Sequence, residues 1–424
     1  MKTPETGVVH VFTSAACNYA AKVRVLFRSL RRHHPQWRLH WLVPDDASVA
    51  PALLHDLQAK IWTLPELDIP ALRSWMFGHT LVELATAVKP FLARRLLAET
   101  DCSQVLYFDP DIVVFSRLDD LLRWFDSSSV LLTPHQAQPE STLDAIVDNE
   151  ICSLKHGVYN LGFIGIANDP VGRRFVSWWQ ERTYRFCRDD IAQGLFTDQR
   201  WIDLAPALFD RVGIVRDSRF NVATWNLTTR TLAGPGPDGF TVDGKPLGFY
   251  HFSGWDSGAH RVMAAKYAAG NPAVARLLDD YQQALQAERP PAGLVKPWAY
   301  GTYSDGTPIA TAHRVIYRDR PDLQRAFADP YDAGQMLHWV RTQGLREYPW
   351  LADDDAQLAT PTRARSAVPA GWRGLHAAPV GRASLGSLLL HGLRHPRDGW
   401  TLAQRAWCIA RREGWSGVAR RLLA

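Results

Sequence analysis

Residues 103–117 read Ser-Gln-Val-Leu-Tyr-Phe-Asp-Pro-Asp-Ile-Val-Val-Phe-Ser-Arg. An apolar run, Val105 to Phe108, meets Asp109-Pro110-Asp111, and a second apolar run, Ile112 to Phe115, comes directly after. Asp109 and Asp111 are two residues apart, so an extended backbone points both carboxylates to one side. Pro110 fixes its own φ and biases Asp109 away from helix. Like charges held this close repel unless a cation lies between them. A hard divalent ion such as Mg²⁺ or Mn²⁺ suits this oxygen chemistry and also binds phosphate oxygens. Asp-Pro-Asp is also a common turn, with aspartate capping the next element, and the tripeptide alone leaves both readings open.

The chain around it reads as an α/β layer. Val8 to Thr13 is a near-continuous apolar strand, as expected of a buried parallel strand. A polar turn, Ser14 to Asn18, leads to a helix over Tyr19–Arg32 with Val23, Leu26, Phe27 and Leu30 at helical spacing. Next come a strand over Leu39–Val43, a helix over Pro51–Lys60 and a short strand over Ile61–Leu64. Ligands of such folds sit beyond the carboxyl ends of the strands, where Asp109-Pro110-Asp111 falls. No Gly-x-Gly-x-x-Gly or Walker lysine motif stands after the first strand, so any phosphate must be held by metal and side chains.

Further along, Trp75–Thr100 is expected to be mostly helical, interrupted at Pro90, and Lys89 is either a solvated lysine, the reading local spacing favours, or a nucleotide or phosphate contact. Leu118–Phe125 is expected to be a helix capped by Ser116, and Val130–Thr133 a strand. His156–Ile166 reads as a strand with glycines where a ligand or backbone approaches closely, and its Asn160 amide can donate to and accept from sugar hydroxyls. Asp169-Pro170 starts a helix through Phe186. Thr197-Asp198-Gln199 is either a polar site or an ordinary capped turn. Gly234–Gly248 reads as a hairpin turning at Asp243-Gly244. His251, in a strand before Gly254, is either a third metal ligand or a satisfied structural histidine.

In order and spacing, Phe12-Thr13-Ser14, Ala87-Val88-Lys89-Pro90, Tyr107-Phe108-Asp109-Pro110-Asp111, Tyr159-Asn160-Leu161-Gly162-Phe163, Thr197-Asp198-Gln199 and His251-Phe252-Ser253-Gly254 resemble a bacterial GT-A nucleotide-sugar-dependent glycosyltransferase. Residues 8–260 are most similar to the retaining group that includes glycogenin and the lipo-oligosaccharide galactosyltransferases. The resemblance implies a GT-A Rossmann-like mixed sheet flanked by helices, with a C-terminal helical extension. It implies Mn²⁺, or Mg²⁺, on Asp109, Asp111 and His251, bridging the diphosphate of a UDP-linked donor. Thr13, Ser14 and Tyr19 would serve the base and ribose, Lys89 the nucleotide or diphosphate, and Asn160, Asp198 and Gln199 the donor sugar. The implied activity is sugar transfer to a glycan, lipid-linked or protein acceptor, with retention. The chain departs from the pattern after Gly254: Trp255-Asp256 stands there instead of a lysine, leaving Arg261 or Lys296 as candidates for the diphosphate cation.

Composition bounds the alternatives. The chain has 424 residues, enough for more than one domain. Its five cysteines are scattered without Cys-x-x-Cys spacing, which argues against a zinc or disulfide framework. The net charge of +5 is uneven: from Pro361 onward eleven arginines face only Asp398 and Glu413, a net +9, and the remainder carries –4. The expected organisation is a catalytic domain over 1–260, a helical accessory region over 261–350, a linker over 351–384 and a basic amphipathic helical tail over 385–424. The start of the chain shows no apolar signal segment, and the expected location is cytoplasmic, with the tail making peripheral contact at the inner face of the membrane. No nucleic acid partner is expected. The rival readings are a sugar-phosphate nucleotidyltransferase, which would normally carry a Gly-rich basic loop after its first strand, and a non-catalytic carbohydrate-binding scaffold.

Overall fold

A computed structural model describes residues 7–237 and 239–353. The expected tail, 385–424, and most of the expected linker lie outside the described residues. The chain divides into two compact units, one ending at Pro308 and one beginning at Ile309.

The strands of the first unit, in chain order, are β1 (Val8–Ser14), β2 (Arg38–Val43), β3 (Ala59–Thr63), β4 (Cys102–Phe108), β5 (Ile112–Val114), β6 (Val130–Pro134), β7 (Tyr159–Ala167), β8 (Arg188–Asp190), β9 (Leu195–Thr197), β10 (Val212–Ile214), β11 (Leu232–Gly236), β12 (Gly239–Val242), β13 (Lys245–Pro246) and β14 (Phe249–His251). Seven form one mixed sheet in the order β10-β6-β7-β4-β1-β2-β3. Pairing is parallel except at β7, which runs antiparallel to both β4 and β6. This is the Rossmann-like mixed sheet expected from the sequence.

Strand parity builds a core on each face. Val11, Trp41 and Phe108 go to one side, where the helix Ala20–His33 adds Val23, Leu26, Phe27 and Leu30. Their neighbours Phe12, Leu42 and Tyr107 go to the other, against Phe91, Leu92 and Leu96 of the helix Lys89–Leu96 and Phe175 and Trp179 of the helix Pro170–Phe186. Each such large apolar side chain contributes about 1.5–3 kcal/mol on burial. The helix Pro170–Phe186 starts as expected, with Asp169 Oδ1 accepting from the Gly172 amide at 2.8 Å.

Several expectations give way to longer-range pairing. The predicted helix Pro51–Lys60 stops at Leu54, because Ala59 and Lys60 join β3 beside Leu39 and His40 of β2. The predicted helix from Trp75 to Thr100 is three helices, Leu72–Phe77, Leu81–Ala87 and Lys89–Leu96. A capping box resets the chain at Thr80, whose amide donates to the Glu83 carboxylate at 2.9 Å. Ser116 does not cap the next helix; its hydroxyl donates to the Leu247 carbonyl at 2.7 Å. The turn at Asp243-Gly244 is as expected, with φ of 49° and 77°.

The helices Ala259–Ala268 and Pro272–Ala287 belong to the first unit, where Glu288, just beyond them, bonds Arg24 at 2.6 Å. The described part of the second unit is helical: Thr311–Asp319, Pro321–Ala326 and the turns Ala333–Leu337 and Val340–Gly344. Ile316, Tyr317, Leu323, Met336 and Leu337 are buried. Arg320 ties Asp322 and Glu347 at 2.6 Å each. Among the described residues, no helix is long and apolar enough to cross a membrane.

Candidate active site

The carboxyl ends of β1 and β4 lie side by side, and the chain leaves each into a turn: residues 15–19 after β1, Asp109-Pro110-Asp111 after β4. Beyond Asp111, β5 pairs antiparallel with β14, placing His251 opposite Ile112. This pairing delivers the histidine to the aspartates across 140 residues of chain. His251 Nε2 is 3.0 Å from Asp111 Oδ1 and 3.7 Å from Asp109 Oδ2. One ligand atom from each of the three lies within 4.8 Å of the others. The cluster can hold a divalent cation.

The donor set fits such an ion. Two carboxylates suit Mn²⁺ or Mg²⁺, and an imidazole nitrogen favours the former. The outer partners also fit. His251 Nδ1 lies 3.0 Å from Asn160 Oδ1, an acceptor, so Nδ1 carries the proton and Nε2 is the nitrogen turned to the aspartates. Asn160 in turn donates from Nδ2 towards His135 Nε2 at 3.3 Å. His135 is held neutral by burial, which pushes its pKa down to about 4. Gly162 makes room: a Cβ there would meet His251 Cε1 and stand 2.7 Å from Nδ1. Without a metal, burial works against a charge on His251, but Asp111 and Asp109 prevail and raise its pKa.

Lys89 is not the solvated lysine that local spacing suggested. It is buried, 5% exposed, with Nζ 3.7 Å from Asp109 Oδ1, 3.6 Å from Asp198 Oδ2 and 4.2 Å from the Tyr107 ring centroid. Burial opposes its charge, and Asp198 and Asp109 more than restore it. Nor does Asp198 cap the short helix Gln199–Ile202: it occupies the N-cap position without a side-chain cap bond. Its carboxyl is 1% exposed, and Oδ2 has no hydrogen-bond partner among the described residues; the Lys89 ammonium is an ion-pair neighbour too distant for one. Burial pushes Asp198 up to about 6, against the pull of Lys89 and with the help of Asp109. Gln199 is clamped to backbone at both ends of its amide, Oε1 accepting from the Leu161 amide at 2.9 Å and Nε2 donating to the His156 carbonyl at 3.0 Å.

These groups share one cavity of about 680 Å³, within the usual range for small-molecule sites. Ser14, Tyr19, Lys89, Asp109, Asp111, Asn160, Asp198, Gln199 and His251 all line it. Three expected residues, Thr13, Arg261 and Lys296, do not. Thr13 is fully buried behind the wall. Arg261 is exposed, 4.5 Å from the Trp255 ring centroid and bonded to Gln282 at 3.1 Å. Sequence reasoning missed His135 and Trp225, the latter edge-on to His251 at 5.4 Å between ring centroids. It also missed the wall formed by the helical segment 143–156, which contributes Asp148, Asn149, Cys152, Ser153 and His156. The position of His135 directly after the strand end at Pro134 was the one available signal.

The fold and the site define a Rossmann-like α/β protein with a candidate dicarboxylate–histidine metal centre. No family model matches the chain. It is similar to two Bacillus subtilis (strain 168) proteins. Uncharacterized protein YfnF is 29% identical over 254 residues, 57% of this chain and 82% of that one. Uncharacterized protein YfnD is 26% identical over 254 residues, 58% of this chain and 78% of that one. Among solved structures it is similar to mouse xyloside xylosyltransferase 1 in its apo form, at 16% identity and a TM-score of 0.35, covering 58% of this chain and 97% of that one. It is also similar to galactosyltransferase LgtC in complex with donor and acceptor sugar analogues, at 18% identity and a TM-score of 0.37, covering 62% and 96%. TM-scores of this size carry no functional argument, so function rests on the site itself.

Proposed function

We propose that the chain is a metal-dependent glycosyltransferase. It moves a sugar from a nucleotide-diphosphate sugar, a UDP-sugar first among the candidates, to a glycan, lipid-linked saccharide or protein acceptor, with retention at the anomeric carbon. The observation that carries this reading is the cluster of Asp109, Asp111 and His251 on the wall of a cavity large enough for a sugar nucleotide. A divalent ion bound there would offset the charge gathering on the diphosphate as it leaves.

The chain's own residues supply the rest. Asp109 and Asp111 hold the ion, and Asn160 fixes the His251 tautomer that lets Nε2 join them. Lys89 keeps Asp109 and Asp198 from repelling each other and adds positive charge beside the diphosphate. Ser14 and Tyr19, at the carboxyl end of β1, receive the nucleoside. Asp198 lines the cavity beside Lys89, where it orients a donor-sugar hydroxyl or stabilises positive charge developing at the anomeric carbon. Gln199, locked to β7, is a rigid amide for the same sugar, and Asn160 links sugar and metal sides.

The test is a panel of nucleotide sugars incubated with the full chain with and without Mn²⁺, the products read by mass spectrometry. Metal-dependent loss of sugar from one donor, by transfer or by hydrolysis, supports the reading. Pyrophosphate released from a nucleoside triphosphate and a sugar phosphate would assign the site to a nucleotidyltransferase instead. Binding of sugars without turnover of any donor would leave a carbohydrate-binding scaffold.

A further inference from the structure

Tyr107 lines the cavity, yet the chemistry above gives it no part. It is the next-to-last residue of β4, two before Asp109, so an extended backbone sends both side chains to one side. Its ring is buried, tilted against Phe12 at 4.9 Å between centroids. A buried phenol takes a hydrogen-bond partner for its hydroxyl. Here the partner is a candidate metal ligand: the Tyr107 hydroxyl donates to Asp109 Oδ1.

This bond gives the two oxygens of Asp109 different surroundings. The main chain is already fixed, because the Asp109 amide continues the β4–β7 pairing by donating to the Gly162 carbonyl at 2.7 Å. Rotation of the carboxylate is the freedom that remains. Tyr107 takes Oδ1, and the same oxygen lies 3.7 Å from the Lys89 ammonium, itself 4.2 Å from the Tyr107 ring centroid. Oδ2 is the oxygen near His251, 3.7 Å from Nε2. Asp109 thus keeps one oxygen on protein donors and has the other beside the imidazole nitrogen of the candidate centre.

We propose that Tyr107 is a positioning residue that restricts Asp109 to coordination through one oxygen and so makes the centre select a small divalent ion over Ca²⁺. The inference rests on the metal-centre reading above. Ca²⁺ collects about 6–8 oxygens and often takes both from one carboxylate. A smaller ion in a compact octahedral set takes one oxygen from each. With Oδ1 held by the phenol, Asp109 does not offer the second oxygen of a bidentate grip, and the larger ion is left short of ligands.

Tyr107→Phe tests this, because it removes the hydroxyl and keeps the ring that packs on Phe12 and lies beside Lys89. Mn²⁺ is titrated into the full chain and followed by its paramagnetic resonance signal, and Ca²⁺ is measured by competition against bound Mn²⁺. The variant should bind Mn²⁺ about 10- to 100-fold more weakly, the usual effect of losing an outer partner of a metal ligand. Ca²⁺ should lose less or gain, so that the preference for Mn²⁺ over Ca²⁺ falls by about 10-fold or more. A purely structural hydroxyl would not move that ratio. A ratio unchanged or raised in Tyr107→Phe, whether both affinities hold or both fall together, overturns the inference. If the wild-type chain binds neither ion, the metal-centre reading itself falls, and the role of Tyr107 falls with it.

Discussion

His251 Nδ1 and Asn160 Oδ1 lie 3.0 Å apart, a bond between the end of β14 and the start of β7 that decides which imidazole nitrogen faces Asp109 and Asp111. Removing the acceptor frees the ring to turn and to change tautomer. Asn160→Ala should therefore weaken Mn²⁺ binding by about 10- to 100-fold, the usual effect of losing an outer partner of a metal ligand. Titration monitored by the Mn²⁺ paramagnetic resonance signal measures it. Affinity equal to wild type would mean that His251 is not a ligand.

Gly162 is a steric test of the same centre. A methyl group there meets His251 Cε1 and comes within 2.8 Å of Asn160 Oδ1, in the middle of the antiparallel strand β7. Gly162→Ala should push the imidazole away from the aspartates and abolish metal binding. Gly236→Ala, where an added Cβ meets nothing within 4 Å, is the control and should bind as wild type.

Lys89, itself buried, bridges two carboxylates, Asp109 and Asp198. Lys89→Met leaves Asp198 buried beside Asp109 without the cation between them. The expected cost is about 3–5 kcal/mol of folding stability, as for other broken buried pairs, read as a lower denaturation midpoint. A loss below about 1 kcal/mol, the size of an exposed pair, would show that the ammonium does little there.

Asp198 gives the site a pH dependence with two opposite signs. Its carboxyl is raised from 3.8 to about 6, chiefly by burial. Below about 6 it takes up a proton and loses its attraction for Lys89, so turnover should fall as pH drops through that value. Stability runs the other way: between about 4 and 6 the folded chain holds this proton more tightly than the unfolded chain, so the contribution of this group declines as pH rises through that window. Asp198→Asn should remove both limbs. Acid-limb and stability profiles that are the same in wild type and Asp198→Asn would contradict the assignment.

How legible each feature was in the sequence depends on how far it reaches along the chain. β1, β2, β4 and β6 are short apolar runs whose strand character is local, and they fall close to where expected. Period-two spacing around Pro110 set Asp109 and Asp111 on one side, and both do face His251. The burial of Lys89 was not legible, because its partners come from β4's end and from Asp198, far along the chain. Spacing within a helix says nothing of them. The β5–β14 pairing is equally non-local; only the resemblance linked His251 to the aspartates. Ala59 and Lys60 looked helical by local pattern and became strand because β2 offered a free edge.

The central claim is that Asp109 and Asp111 bind a sugar nucleotide through a divalent ion. The most direct measurement is calorimetric titration of UDP-hexoses into the full chain with Mn²⁺, with a chelator, and with Asp109→Asn/Asp111→Asn. Binding of at least one donor that needs Mn²⁺ and is lost in the double variant, with its fold intact by circular dichroism, is the expected result. Donor binding that persists with chelator and in the double variant would contradict it.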